Sequence, residues 1–476
     1  MKYLYSTLLL IIYTSGFSQV STSAEDILQS LKIQNELIEN SIVKNLEFKN
    51  IGPSVMSGRV TDLEVNPNNP SEFYVAYASG GLWHTVNNGN TFSPIMDNSD
   101  TQNIGDFDID WSTRLIIVGT GENNSSRSSY AGVGILKSND NGKTWKNIGL
   151  NDSHHIGKIV INPNNPNEIV VAVLGHLYSK NKERGIFKTI DGGVTWENTL
   201  YIDESTGIID LDISPNNFKI QFASSWQKSR KAWDFKGNGE KSGIYKSVDS
   251  GNTWNLISTQ KSGFPTGNGV GRIGLAVFDS KTLYAVVDNQ FRRPKSKAST
   301  EKTDLSKNYF ESISKERFLK IDDLKLDKFL TTNSFPKKYN STKIKELVKN
   351  DLIKPSDLKL YLEDANTVMF ETPIIGAQVY RSDDGGLNWT LKNSYYLDRL
   401  YNTYGYYFGK IHVSPVNKDD IYIYGVPFIK SNDGGVTYKS IDYPNVHVDH
   451  HDLWINPKNP KHLKELMKIS DKIAEL

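Results

Sequence analysis

The sequence predicts an all-β fold, a β-propeller of four-stranded blades, on three observations. An eight-residue pattern, Ser/Thr-x-Asp-x-Gly-x-Thr-aromatic, recurs six times. Start-to-start spacings are 53, 51, 58, 135 and 49 residues, a period near 50 with one interruption. A second turn built on Asn-Pro or Ser-Pro precedes most copies, each time after a short apolar strand. Self-similarity at a fixed period marks a repeated supersecondary unit, and four-stranded units set radially leave only short protected edges. A parallel β-helix would need a much shorter period.

The six copies are TVNNGNTF (85–92), SNDNGKTW (138–145), TIDGGVTW (189–196), SVDSGNTW (247–254), SDDGGLNW (382–389) and SNDGGVTY (431–438). Their acidic position holds Asn87, Asp140, Asp191, Asp249, Asp384 and Asp433. An Asp side chain accepts backbone N–H groups in a tight turn, and Gly supplies the positive φ that the turn requires. The aromatic anchors the next strand in an apolar seam. A catalytic pair needs two unique residues, whereas these recur in every unit, so their role is structural. The Pro turns are NPNNP (66–70), NPNNP (162–166), SPNN (214–217), SPVN (414–417) and NPKNP (456–460). The last begins a seventh unit that has a first strand and no recognisable partners, which predicts a partial seventh repeat and an open ring.

Composition narrows the function classes. The 476 residues carry 55 Lys+Arg against 54 Asp+Glu, a balance that argues against a dedicated nucleic-acid binder. Apolar residues make up 37%, enough to bury a core and exclude wholesale disorder. No cysteine is present, which excludes disulfides, cysteine metal sites and thiol catalysis.

The ends and one insertion depart from the repeat. Lys2 followed by the apolar run Leu4–Tyr13 and small residues at 14–18 reads as a signal peptide over 1–18, with cleavage near Ser18–Gln19. The run is too short to span a bilayer, no later stretch approaches that length, and the expected location is periplasmic, outer-surface or secreted. Segment 19–47 reads as helical, from the spacing of Ile27, Leu31, Ile33 and Leu37. The propeller runs over 48–460. Within it, about 292–365 lacks strand alternation and reads as two or three charged helices, with 18 basic and 10 acidic residues over Arg292–Lys359. Residues 461–476 read as a polar helical tail, consistent with a truncated chain.

The recurring turns resemble the Asp-boxes (BNR repeats) of sialidase-like propellers. The chain further resembles the sortilin-type, YVTN/BNR-repeat "glycosyl hydrolase" proteins exported by bacteria. That likeness is carried by IGPSVMSGRV (51–60), GGLWHTVNNG (80–89), GTGENNSSR (119–127), HHIGKIVINPNNP (154–166), LGHLYSKNKERGIFKTIDGG (174–193) and HDLWINPKNP (451–460). It implies a propeller whose ligand sits near the axis and is a polysaccharide or a peptide.

Candidate site residues are the unrepeated polar ones in these segments. Glu122 ends a strand in a Gly-rich loop with Arg127 nearby, and Arg59 follows the Gly52–Gly58 loop. His155, His176, Arg184 and His451 flank other loops, and Trp226 with Arg230 offers an aromatic platform beside a cation. Glycoside hydrolysis needs two carboxyl groups flanking the scissile bond, and Glu122 with Asp449 or Asp452 is the expected pair. The Arg-Ile-Pro motif of sialidases is absent and no arginine triad can be assigned. The cluster VHVDHHDLW (446–454) would place His447, Asp449 and His451 on one face of a regular strand. One strand rarely supplies a whole metal site and no spaced metalloprotease motif is present, so no metal and no cofactor are expected. Three readings stand: a glycoside hydrolase acting on polysaccharide, a non-catalytic sortilin-like peptide, protein or glycan binder, and an inactive fragment.

Overall fold

The computed structural model describes residues 21–46, 58–294, 305–333, 335, 338–363, 374–401, 404–442, 448–467 and 474–475. The signal-peptide segment, and His447 of the histidine cluster, lie outside these residues. Six four-stranded antiparallel sheets follow one another along the chain, each with its strands side by side in chain order. Their first strands are Val60–Val65, Ile104–Asp110, Ile156–Asn162, Thr206–Ser214, Val270–Val277 and Lys410–Val413. Each first strand contacts the next, and His450–Ile455 contacts both Lys410–Val413 and Val60–Val65 to complete the circle, so the first strands line an axis and the sheets are the blades of a propeller.

The core is a set of layers between successive blades. Between blades one and two it holds Tyr74, Leu82, Phe107 and Val118, and between two and three Ile117, Ile135, Ile159 and Val171. Each blade is apolar on both faces and must be covered on each, which a ring does for every member.

Aspartates tie the first strands together across blades. Asp62 Oδ2 accepts the Phe107 N–H (3.3 Å), Asp106 Oδ2 that of Ile159 (2.7 Å) and Asp108 Oδ2 that of Ile161 (2.6 Å). Asp210 and Asp212 do the same for Leu275 (2.9 Å) and Val277 (2.7 Å). The axial edge of a first strand has no neighbouring strand to bond, so its N–H groups need such partners.

The recurring turn forms one hydrogen-bond set in every copy. In blade two the Ser138 hydroxyl donates to Asp140 Oδ1 (2.7 Å) and accepts the Gly142 N–H (2.8 Å). Thr144 donates its N–H to Oδ1 (2.9 Å) and its hydroxyl to Oδ2 (2.6 Å), which holds the Asp140 carboxyl at about 2. In blade one, Asn87 accepts the Thr91 N–H with Oδ1 and donates from Nδ2 to the Thr91 hydroxyl (2.9 Å), so the amide reproduces the set. The turn also reaches the preceding blade: Trp145 Nε1 donates to the Ile95 carbonyl and Trp196 Nε1 to that of Ile148, both at 2.8 Å.

Three expectations are corrected. The predicted helix over 461–476 is strand where described: Leu463–Met467 pairs antiparallel with His450–Ile455, and Ala474–Glu475 pairs with it in turn. The NPKNP turn folds the chain back, with the Asn456 N–H donating to the His462 carbonyl (3.1 Å). Leu463 is buried, and the Lys464 ammonium lies 4.7 Å from the Phe73 ring centroid and bonds Asn88 Oδ1. Sheet pairing overrides the local helical spacing. Nor is the edge open: His450–Ile455 packs against Val60–Val65, and Lys458 Nζ donates to Asn68 Oδ1 (3.1 Å). The inserted segment, third, holds five short helices among its described residues rather than two or three: α2 (Tyr309–Ser312), α3 (Lys315–Leu319), α4 (Asp323–Thr332), α5 (Ser341–Lys349) and α6 (Pro355–Glu363), following α1 (Ala24–Glu39) near the N-terminus. They enclose their own core of Phe310, Phe318, Leu326, Ile344 and Leu358, between the second and third strands of blade five.

Candidate ligand-binding mouth

First strands all begin, and second strands all end, on one face of the ring. Residues just before the former and just after the latter therefore meet there. Arg59 precedes blade one and Glu122 follows the second strand of blade two, and they form a bidentate pair, Nε to Oε1 and Nη2 to Oε2, both 2.6 Å. Arg59 Nη2 also donates to the Ser128 carbonyl (3.1 Å). His155 Nδ1 lies 2.8 Å from the Glu122 carbonyl. From across the ring, Arg272 Nη1 donates to Asn124 Oδ1 (3.2 Å) and to the Tyr406 and Tyr407 carbonyls (3.2 and 3.0 Å). Burial brings the Arg272 guanidinium down to about 10 and raises the nearby Asp288 carboxyl to about 6.

Above these ties lies a cavity of about 310 Å³ walled by Arg59, Ser126, Ser128, Tyr404, Tyr406, Tyr407, Phe408 and Asp449. The aromatic run is braced from beneath. Tyr407 and Phe408 lie over the buried His451 ring at 5.4 and 5.9 Å, and Tyr406 meets Phe235 edge-on at 4.6 Å. The Arg230 guanidinium stacks on Phe235 at 3.9 Å. Arg127 is exposed at the rim, where the Tyr178 hydroxyl donates to its carbonyl (3.1 Å).

Deeper along the axis is a second cavity of about 340 Å³, lined by first-strand side chains including Asp62, Asp106, Lys158, Asp212, Lys410, His412 and Asp452. Lys158 Nζ lies 2.9 Å from Asp106 Oδ1 and 3.5 Å from Asp62 Oδ1. Burial raises the carboxyls here, Asp108 to about 6 and Asp212 to about 7, and lowers the His412 imidazole to about 3. The Tyr424 hydroxyl is 2.7 Å from His412 Nδ1 and donates to Asp452 Oδ1 (3.2 Å).

The structure thus separates the expected residues. Glu122, Arg59 and Asp449 meet at the mouth; Asp452 lies down the channel, bonded to Tyr424 and 3.4 Å from Lys410 Nζ. Asp449 is not on the strand, which begins at His450; its φ of 76° turns the chain before it, so the expected alternation through 449 and 451 fails. Trp226 is no platform: it is wholly buried, packs with Leu174 and Ile209, and donates from Nε1 to the Gly237 carbonyl (2.8 Å). The cation over it is Lys228, at 5.7 Å. Arg184 is also buried and clamps the carbonyls of Leu174 (2.6 Å) and His176 (2.7 Å). His176 is buried with Nε2 3.0 Å from Asp152 Oδ1. Residues that the sequence reading did not single out are Tyr404, Tyr406, Tyr407 and Phe408, Arg272 and Lys158. The signal for the first four was present as four aromatics within YGYYF (404–408).

No protein-family model and no curated protein matches this chain. Solved structures do. The GH74 xyloglucanase from Xanthomonas campestris is 12% identical with a TM-score of 0.52, over 89% of this chain and 52% of that one. An ancestral GH74 enzyme is 13% identical with a TM-score of 0.50, over 88% of this chain and 44% of that one. The chain spans about half the length of these structures. The protein is therefore a β-propeller, and at such identity the likeness extends to the fold alone. Among the described residues, no helix is long and apolar enough to cross a membrane.

Proposed function

We propose that this is an exported propeller of the Asp-box type that takes a carbohydrate chain at the tyrosine-lined mouth. One observation carries the reading: four consecutive-loop aromatics wall a 310 Å³ cavity whose polar groups are few and convergent, Arg59, Asp449 and the 126–128 serines. Sugar rings present apolar C–H faces and a rim of hydroxyls, which such a wall stacks and such groups orient. Export rests on residues 2–18 of the sequence. The three-stranded terminal sheet stands in the place of the seventh blade.

Glu122 serves this site as a support. Both its oxygens are engaged by Arg59 and its side chain is wholly buried, an arrangement suited to holding Arg59 at the rim rather than to giving up a proton. Hydrolysis is the second reading, favoured by the presence of Asp449 and Glu122 around the same Tyr407 phenol, both of which act on it electrostatically. In that reading Asp449 is the acid or base at the rim.

The test is an array of plant and microbial glycans, with reducing-end release assayed on every glycan bound. Binding without release, lost in Tyr407→Ala, supports a glycan-binding module; release that is lost in Asp449→Asn converts it to a hydrolase. Peptide capture with no glycan bound would overturn the carbohydrate reading in favour of a sortilin-like one.

A further inference from the structure

Beside the mouth, on blade three, two loops bring metal-ligating side chains together. The segment Asp152–His154 enters the first strand of the blade, and His176 lies three residues beyond the end of the second, Asn165–Val173. Because Ile156 pairs with Val173 in the antiparallel register, the two loops emerge side by side. One ligand atom from each of Asp152, His154 and His176 lies within 4.8 Å of the others.

The local bonding leaves this cluster without a complete internal set. His154 Nε2 is buried and has no hydrogen-bond partner. Its ring instead stacks face to face on His176, 3.6 Å between centroids and 18° between planes, so binding an ion requires the His154 ring to turn out of that stack. Beside Asp152 lies Glu183, whose Oε2 is buried and likewise without a partner. A buried nitrogen lone pair with nothing to accept from costs stability, and a cation removes that cost.

The surrounding shell is that of an oriented ligand set. His176 Nδ1 is 2.7 Å from the Ser179 hydroxyl, which fixes the ring with Nε2 directed at Asp152. Asn181 Nδ2 donates to the Asp152 carbonyl (2.6 Å) and reaches its Oδ2 (3.3 Å). Metal-bound imidazoles and carboxylates are held by such second contacts. The 3.0 Å between His176 Nε2 and Asp152 Oδ1 is close to the roughly 3.3 Å edge of a tetrahedral site with ligands at about 2.0–2.1 Å.

We propose that Asp152, His154 and His176 bind one divalent transition-metal ion of the zinc class. Two imidazoles and a carboxylate are borderline ligands, a set that suits Zn²⁺ over Ca²⁺ or Mg²⁺. Asp152 and His154 are only half-buried, so a further position on the ion faces solvent or Glu183. Binding frees His176 Nε2 for the ion by moving the imidazole's one proton from Nε2 to Nδ1, where the Ser179 hydroxyl accepts it. The Arg184 guanidinium is close enough to act on both histidines and opposes a cation, but its two Nη atoms are turned to the carbonyls of Leu174, His176 and Ser179.

The experiment titrates the untagged mature chain, stripped with EDTA, with ZnCl2 by calorimetry in two buffers of different ionisation enthalpy, and with CoCl2 by visible absorption. The expected result is one Zn²⁺ per chain with a binding enthalpy that does not differ between the two buffers, and the intense bands of four- or five-coordinate Co²⁺. His154→Ala should lower the affinity at least tenfold while leaving the metal-free melting temperature and circular dichroism unchanged. Asp152→Asn, which keeps the His176 bond, gives the same loss if His154→Ala fails to fold. Equal affinity in wild type and both variants, no stoichiometric binding, or only the weak bands of hexa-aquo Co²⁺ would overturn the proposal.

Discussion

Arg59 and Glu122, 63 residues apart, clasp blade one to blade two through a bidentate ion pair whose carboxylate is sealed from solvent. Removing either partner strands the other. Glu122→Gln is expected to destabilise the fold by about 3 kcal/mol, because a guanidinium keeps its charge and loses its counter-ion. Arg59→Met should cost about as much, and the double variant less than the sum. Urea denaturation of the four proteins in a double-mutant cycle checks this; additive effects would show that the pair is not coupled.

Asp249 tests the recurring turn. Its oxygens accept from the Thr253 N–H, the Thr253 hydroxyl and the Ser247 hydroxyl. Asp249→Ala removes all three and should lower stability by about 1 kcal/mol. Asp249→Asn should be close to wild type, since Asn87 already performs the same task in blade one. Chemical denaturation that ranks the amide with the alanine would contradict a purely structural role.

Asp212 sets a pH dependence. Burial raises its carboxyl from the ordinary 3.8 to about 7, so between those values the folded chain holds a proton that the unfolded chain has lost. Its contribution is full below pH 3.8 and disappears as pH rises through 7, at most on the order of 4 kcal/mol. His412, lowered to about 3 by burial, works in the opposite sense: its contribution is full above pH 6.5 and is lost as pH falls toward 3. Stability measured from pH 4 to 8 should therefore fall less steeply with rising pH in Asp212→Asn than in wild type. Parallel profiles would refute the assignment.

At the mouth, Tyr406→Ala and Tyr407→Ala should each weaken oligosaccharide binding by about tenfold, or 1.4 kcal/mol. Trp226→Phe, buried beneath, should change stability and leave affinity alone. Affinities by calorimetry distinguish these; an unchanged Kd in both tyrosine variants would move the ligand elsewhere.

The scaffold was more legible than the site. Asp140 and its counterparts recur in register, each satisfied within eight residues, so local chemistry displays their role. The mouth instead assembles from residues far apart in the chain, such as Arg272 with Asn124, 148 residues away. Trp226 misled for the same reason: an indole beside an arginine reads alike whether it faces solvent or core, and only the packing of Leu174 and Ile209 decides. The tail misled because a helical spacing in isolation is weaker than a waiting sheet edge. Conversely, the Asp-x-Asp pairs 106/108 and 210/212 could have been recognised as axial, since alternation puts both members on one edge of a strand that every blade repeats.

The hairpins that hold each blade to the one before it lie opposite the mouth, and the five-helix insertion leaves blade five on the mouth side, where Arg293 ties it to Asp398 at 2.6 Å. Sequence change is thereby partitioned between two ends of the molecule. At the mouth end the loop between the second and third strands of blade five admits an entire helical subdomain, whereas the corresponding loop of blade two carries Glu122 and its clasp on Arg59. Grafting foreign loops between the second and third strands of blade five should thus succeed where the same grafts between third and fourth strands would unseat a neighbour.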